Sequence, residues 1–451
     1  MKRLLAFLCV FAIAATLPAA RADEPQSGKA ADRAPAAEAP TGSATPAASP
    51  PVKQPAPEQG TPEQEKAAAE KSAPAMKRPT PPPGGQVVDI AYLTQEVDLP
   101  PARSNVQPHP NDEGKLGADL GIDDDNTTGV FTKQDFKLEA VTVPVKGDVV
   151  AAFKKLVADG QKFIVLNLPA ANVLQLADLP EAKDVMIFNA GAPDDRLRNA
   201  DCRANVFHTS ANRAMLADAL AQYLIKKKWT RWFLVSGSDE GDKLYADAIK
   251  RAAKKFGAKI VDEKTWTYSG EQMRRSAESE IPVLTQGPDY QVLIAADEAD
   301  NFGDDLMYRT WDPRLVAGTQ GLVAADWHPA FDMWGASQMQ HRFQKLSGRY
   351  MTPKDFAAWV AVRAVGEAAT RTKSTDFNTI RSFVLGPDFT VGVFKGMGAN
   401  FRDWDRQLRE PILLAAPYTV VSVSPQQEFI HPVSNLDTLG YDKPETSCKF
   451  K

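Results

Sequence analysis

Residues 232–267 read WFLVSGSDEGDKLYADAIKRAAKKFGAKIVDEKTWT. Trp232–Ser236 is apolar and bulky, as a strand covered on both faces must be. Asp242–Phe256 has helical spacing, Gly257 suits a left-handed C-terminal cap, and a second strand pattern, Lys259–Thr267, follows. Strand, helix and strand in that order make a right-handed crossover between parallel strands. The same alternation extends in both directions. Strand patterns occupy Val87–Leu93, Phe136–Val143, Phe163–Leu168, Val185–Asn189, Tyr290–Ala295 and Val316–Ala324. Leu216, Leu220, Tyr223 and Leu224 put one apolar stripe on a helix that ends in Lys226-Lys227-Lys228, cations that complement its C-terminus.

From Val87 onward the chain is too long for one such sheet. The sequence predicts an α/β fold of two doubly wound, mainly parallel lobes, one before and one after about residue 207. Ligands of open parallel sheets sit beyond the carboxyl ends of the strands. Two lobes facing each other would enclose one cleft and close it by hinge motion.

The first 22 residues differ from the rest. Met1-Lys2-Arg3 is basic, Leu4–Leu17 is apolar, and Ala20-Arg21-Ala22 has the small-x-small form that precedes signal-peptide cleavage. Cleavage after Ala22 and export to a bacterial periplasm are expected. Residues 23–85 are Ala, Pro, Glu, Lys and Gln with no Ile, Leu, Phe, Trp or Tyr, so they cannot offset their ordering entropy and read as a disordered linker. The 451 residues are 43% apolar and 24% charged, with a net charge of −4 and no basic stripe, which argues against nucleic acid as the partner. No later run of 18 apolar residues could span a membrane. The sequence holds no Gly-x-Ser-x-Gly, phosphate-cradling or His-Glu-x-x-His motif, and His208, His328 and His431 are isolated, so no enzyme and no cofactor is expected. A monomer is expected.

Cleft candidates are the turns after strands: Thr94-Gln95, Ala170-Ala171-Asn172, Ala190-Gly191, Ser236 with Ser238-Asp239, and Asp297-Glu298. Asp297 and Glu298 would equally suit the first turn of a helix. Trp327 could stack on a planar ligand or pack the hinge. Asp124, Asn126, Thr128, Gly129, Thr132 and Asp135 match the spacing of a calcium-type loop, with Asp rather than Glu at its last position. The competing reading is a helix end with Gly129 in the cap. Cys202 and Cys448 are the cysteines left after processing, an even pair that suggests a disulfide in an oxidising compartment.

Particular stretches say more. Gly117-Ala118-Asp119-Leu120-Gly121-Ile122-Asp123-Asp124-Asp125-Asn126-Thr127-Thr128-Gly129 resembles the first helix of the branched-chain amino-acid-binding class of periplasmic proteins. Ala204-Asn205-Val206-Phe207-His208-Thr209-Ser210 resembles that class's first inter-lobe crossing. Four stretches resemble, more narrowly, the ABC-transporter substrate-binding proteins found with pyrroloquinoline-quinone-dependent alcohol dehydrogenase systems. They are 191–198 (GAPDDRLR) with Cys202-Arg203, 213–220 (RAMLADAL), 404–412 (WDRQLREPI) and 436–440 (LDTLG). The resemblance implies a type I periplasmic-binding fold whose lobes are joined by a three-strand hinge, with lobe 1 from 86–207 plus about 326–389 and lobe 2 from 208–325 plus about 390–451. It also implies a small-molecule ligand, an ABC permease in the inner membrane as partner, and a link to a periplasmic alcohol dehydrogenase system. Lanthanide or calcium handling and a non-transport receptor or scaffold role are the alternatives. One departure bears on the ligand. Amino-acid binders of the class carry hydroxyls after the third strand to hold a carboxylate, whereas this turn reads Leu168-Pro169-Ala170-Ala171-Asn172 and can offer none.

Deleting residues 23–85 is expected to leave the melting temperature of the mature protein unchanged, because nothing there can join a core. Calorimetry of the deletion variant checks this, and a fall of many degrees would refute the linker reading.

Overall fold

The computed structural model describes residues 84–98, 110–267 and 279–451. The expected signal peptide and the linker up to residue 83 lie outside them. The chain passes between two sheets. It begins with β1 (Gln86–Gln95), α1 (Lys115–Thr132), β2 (Gln134–Val143), α2 (Val149–Ala158), β3 (Phe163–Asn167), α3 (Ala170–Ala177), β4 (Met186–Asn189) and β5 (Val206–His208). It crosses to α4 (Arg213–Lys226), β6 (Arg231–Ser236), α5 (Glu240–Phe256), β7 (Lys259–Thr265), β8 (Val292–Ala296), α6 (Gly303–Arg309), β9 (Leu315–Gly318) and β10 (Leu322–Ala325). It returns through α7 (Ala336–Ser347), α8 (Pro353–Thr372), α9 (Phe377–Val384), β11 (Val391–Gly392), β12 (Gly398–Phe401) and β13 (Leu408–Arg409). A third crossing leads to β14 (Ile412–Ala416) and β15 (Thr419–Ser424).

The first sheet has the order β2-β1-β3-β4-β5, all parallel. Side chains alternate across it with period two. Val88, Ile90 and Tyr92 join one core with α1, α7 and α8, while Ala91 and Leu93 join the opposite core with α2 and α3. The second sheet has the order β15-β14-β10-β9-β8-β6-β7, with β14 antiparallel to both its neighbours. Trp232 and Leu234 face α4 and α5, whereas Phe233 and Val235 face Trp266, Phe302 and Leu306. A small antiparallel sheet, β11-β12-β13, completes the set.

Four expectations need correction. Val316–Ala324 is two strands, because Gly318 and Gly321 take positive φ (124° and 79°) and break the run. Residues 391–408 do not go with the second lobe. Val391, Val393, Ala399, Phe401 and Leu408 are buried in the first core, and the third crossing comes at Glu410-Pro411. Gly129 is inside α1, and the left-handed residue that ends the helix is Lys133 (φ 60°). The apolar stripe expected on α4 is too narrow a description. Gln222 and Asp218 are buried too, because residues 424–445 cover that side: Gln222 bonds Gln426 and Thr438, and Asp218 accepts from Gly440 N.

Cys202 and Cys448 are joined in a disulfide that ties the tail to the first lobe. On the other side of that lobe, α1 and α8 touch backbone to backbone. Asp355 accepts from Gly114 N (2.7 Å) and pairs with Arg349, and a Cβ on Gly117 would lie 1.9 Å from Asp355 O. Gly117→Ala is therefore expected to cost about 1–3 kcal/mol or more by overpacking. Urea unfolding should show a lower midpoint, and an unchanged midpoint would contradict this helix contact.

Candidate functional site

The carboxyl ends of β1, β3 and β4 converge. At β1, Thr94 Oγ1 donates to Asn167 O (3.0 Å), and Gln95 Nε2 reaches the carbonyls of Pro144, Val145 and Gly147 at 3.1–3.2 Å. Gln95 thus ties down the next turn while lining the cleft. At β3, Asn167 Nδ2 donates to Tyr92 Oη and Glu113 O, both 3.1 Å, and Tyr92 Oη donates to the same carbonyl. Burial pushes the Tyr92 phenol up, so it remains a donor. At β4, buried Asn189 accepts from Gly191 N and Ala192 N and donates to Ala192 O, which shapes the turn. Glycine at position 191 leaves room for Asn167, since a Cβ there would lie 2.5 Å from Asn167 Oδ1 and 3.0 Å from Leu168 N.

These turns form one wall of a cavity of about 780 Å³. The other wall comes from α4 and from the first turns of α5, through Arg213, Glu240, Gly241 and Leu244. Arg213 is nearly buried and grips Glu298 with two hydrogen bonds (Nε–Oε1 2.8 Å, Nη2–Oε2 2.6 Å), with Asp194 3.5 Å away. Bidentate pairs of this kind fix orientation as well as charge. Lys354 pairs with Glu113 (2.9 Å). Glu96, Asp98, Glu113, Asp194 and Glu240 line the space, against three cations, Arg196, Arg213 and Lys354. Each of these cations already has a carboxylate within 3.5 Å among the described residues. The first N–H groups of α3, at Ala170–Asn172, have no intrahelical acceptor by position.

Thr94, Gln95, Ala170, Ala171 and Gly191 line the cavity, and the other cleft candidates do not. Asn172 sits one residue further along α3, and the Ala190 side chain is buried beneath its turn. Ser236 is buried at the end of β6, with its carbonyl accepting from Trp266 N, and Ser238 follows it outside the cavity. Asp239 caps α5 in a reciprocal box with Asp242. Asp297 accepts from the N–H groups of Asn301, Phe302 and Gly303 (2.6–2.9 Å), the start of α6. Glu298 acts one step back, through Arg213. Trp327 is buried, bonds Gln340 and stacks on Phe356, which makes it a hinge-packing residue. Sequence reasoning missed Arg213, Glu240 and Asn167. Arg213 and Glu240 sit at helix starts rather than directly after strands.

The calcium-type spacing does not form a loop. Asp124 lies within α1 and bonds Arg342 and Trp359 Nε1. Asn126 exchanges two hydrogen bonds with Phe136 backbone, Thr128 and Thr132 are on α1, and Asp135 is already in β2. Among the described residues no group of three His, Cys, Asp or Glu could hold a metal ion.

Residues 117–416 match the family model of periplasmic binding proteins. Comparison with curated proteins finds no match. Among solved structures, a branched-chain amino-acid ABC transporter periplasmic ligand-binding protein from Burkholderia xenovorans is 14% identical with TM-score 0.63, over 80% of this chain and 99% of that one. A leucine-, isoleucine-, valine-, threonine- and alanine-binding protein from Brucella ovis, in a closed conformation, is 16% identical with TM-score 0.60, over 81% and 99%. A solute-binding protein from R. palustris in complex with benzoate is 12% identical with TM-score 0.57, over 81% and 100%. At such identities the likeness establishes the fold, the two-lobed type I periplasmic-binding architecture.

Asp297→Ala is expected to cost about 1–3 kcal/mol, since it orphans three N–H groups. It should leave stabilisation by any cleft ligand intact. Parallel thermal melts with and without that ligand check this, and a selective loss of the ligand's effect would return Asp297 to the cleft.

Proposed function

The chain belongs to the family of periplasmic binding proteins, and from that premise we propose that it captures a small organic solute between its lobes and delivers it to an ABC permease in the inner membrane. Membership implies a periplasmic location. Among the described residues no helix is long and apolar enough to cross a membrane. The observation that carries the reading is the cavity of about 780 Å³ walled by both lobes, a volume suited to a small ligand.

The lining favours a particular chemistry. Ala170 and Ala171 stand where carboxylate-holding hydroxyls would be, and carboxylates outnumber cations around the space. An organic acid would add charge of the prevailing sign. An uncharged or amine-bearing alcohol fits better: its oxygen can accept from the α3 N–H groups and an amine can meet Glu240. Such a ligand accords with the link to quinone-dependent alcohol oxidation, which rests on the sequence resemblance of residues 191–203, 213–220, 404–412 and 436–440.

A thermal-shift screen over alcohols, amino alcohols, short acids, amino acids, the quinone cofactor, calcium and lanthanum tests the proposal. One organic solute should stabilise the protein without metal, by about 2.7 kcal/mol at 100-fold excess over its dissociation constant. Ala171→Trp, which fills the cavity from an exposed helix position, should abolish the shift. Stabilisation by a metal ion alone, or an organic shift that survives Ala171→Trp, would overturn the reading. The alcohol link fails separately if a strain lacking the protein oxidises alcohols and grows on them as the parent does.

A further inference from the structure

We propose that the hinge holds one exchangeable proton on its buried carboxyls Asp326 and Glu410, and that losing it opens the lobes. The three crossings lie side by side. Asp326 starts the second crossing and its Oδ2 accepts from Ala211 N of the first (2.9 Å). Glu410 is on the third, and its Oε2 accepts from Lys395 Nζ at 2.5 Å, both side chains being 0% exposed. Lys395 comes from the turn between β11 and β12, and its ammonium also lies 4.3 Å from the Phe356 ring centre. The remaining carboxylate oxygens, Asp326 Oδ1 and Glu410 Oε1, are buried with no hydrogen-bond partner.

Glu410 is thus the carboxylate bonded to the Lys395 ammonium, and Asp326 is a second buried negative charge close enough to act on both. Arg198 is the other cation near Asp326, but its N–H groups go to the carbonyls of Ala192, Asp194 and Ser210 and to Gln407. Its charge is further balanced by Asp194, Asp195 and Asp405. His208, which faces Arg198, is held neutral by burial. One uncompensated negative charge remains, and a buried unpaired charge is strongly unfavourable. A single proton removes that charge and supplies a donor to a site that has two orphaned acceptors. Burial first, and the Asp326 charge as well, push the Glu410 carboxyl up to about 8 despite Lys395, and burial raises Asp326 too.

The direction follows from linkage. The arrangement seen here binds the proton tightly. An opening that admits water to Asp326 and Glu410 returns the carboxyls toward ordinary acidity. The open form thus binds the proton less, so raising pH through the hinge's own titration favours opening, and lowering it favours this arrangement.

The test needs no ligand, so its failure is distinguishable from failure of the solute-binding reading. Dyes placed at Lys146 and Lys243, exposed positions beside the cavity on opposite lobes, report lobe separation by energy transfer. They are attached through azide-bearing residues so that the disulfide stays intact. Between about pH 6 and about pH 9.5, separation in the full mature chain should increase with a midpoint no higher than about 8. Glu410→Gln should abolish the titration and hold the low-pH separation. Asp326→Asn leaves Glu410 and Lys395 balanced and should move the midpoint down by about one pH unit or more. Constant separation in the unmodified protein, or an unchanged titration in Glu410→Gln, overturns the proposal. Should Glu410→Gln fail to fold, an unchanged midpoint in Asp326→Asn overturns it instead.

Discussion

The buried Arg198 guanidinium sets the junction of the lobes. It donates to Ala192 O (2.9 Å) and Asp194 O (3.1 Å) on the cleft turn, Ser210 O (2.9 Å) on the first crossing, and Gln407 Oε1 (2.8 Å) just before the third. Gln407 in turn donates to Ser210 O (3.1 Å). A buried cation is tolerable only when its donors are satisfied, so these segments cannot move independently. Burial lowers the Arg198 pKa to about 10, which still leaves it charged at neutral pH. The turn that walls the cavity and the strands that carry the hinge are therefore one hydrogen-bonded unit. A ligand pressing on residues 191–194 presses on the crossings.

The same unit gathers the stretches on which the narrower sequence resemblance rests. Arg198 of 191–198 bonds Gln407 of 404–412. Asp195 accepts from Ala214 N of 213–220, and Arg409 donates to Asp437 of 436–440 (2.7 Å). Of these stretches, 191–198 and Arg213 reach the cavity, while 404–412 and 436–440 lie outside it. These stretches thus concentrate around the crossings between the lobes.

Much of the fold was legible because strands buried on both faces read as apolar runs and the helices between them keep their period. Val87–Leu93, Trp232–Ser236 and the Gly257 cap are local signals, set by neighbours in sequence. The errors came where distant contacts decide. Val391, Val393 and Phe401 are apolar in either lobe, and only packing against the first core places them there. Asp124 and Asn126 have the spacing of a metal loop, yet Arg342, Trp359 and the Phe136 backbone, all outside the motif, claim their oxygens. At the cleft, the rule that ligands meet turns after strands found Thr94, Ala170 and Gly191. It misplaced Asp297 because an acidic residue in that position serves a helix start as readily as a ligand. Arg213 carried no local signal at all. Its role comes from Glu298, 85 residues away.

The C-terminal tail adds a constraint that no strand pattern announces. On the second lobe, Asp218 accepts from Gly440 N, while Arg251 and Lys255 donate to Gly440 O and pair with Glu445. On the first lobe, Thr446 donates to Arg198 O (2.9 Å) and Cys448 is bonded to Cys202. Glu445 and Thr446 are adjacent, so the chain passes from one lobe's ion pairs to the other lobe's backbone in a single step. This is a fourth link beside the three crossings, and it is covalently fixed at one end. Four links on one side, one of them a disulfide, restrain translation of one lobe away from the other more than they restrain rotation about the linked side. Asp326 and Glu410 lie on two of the crossings that make up this linked side, so the buried charge and the tail's anchorage restrain the same region of the molecule.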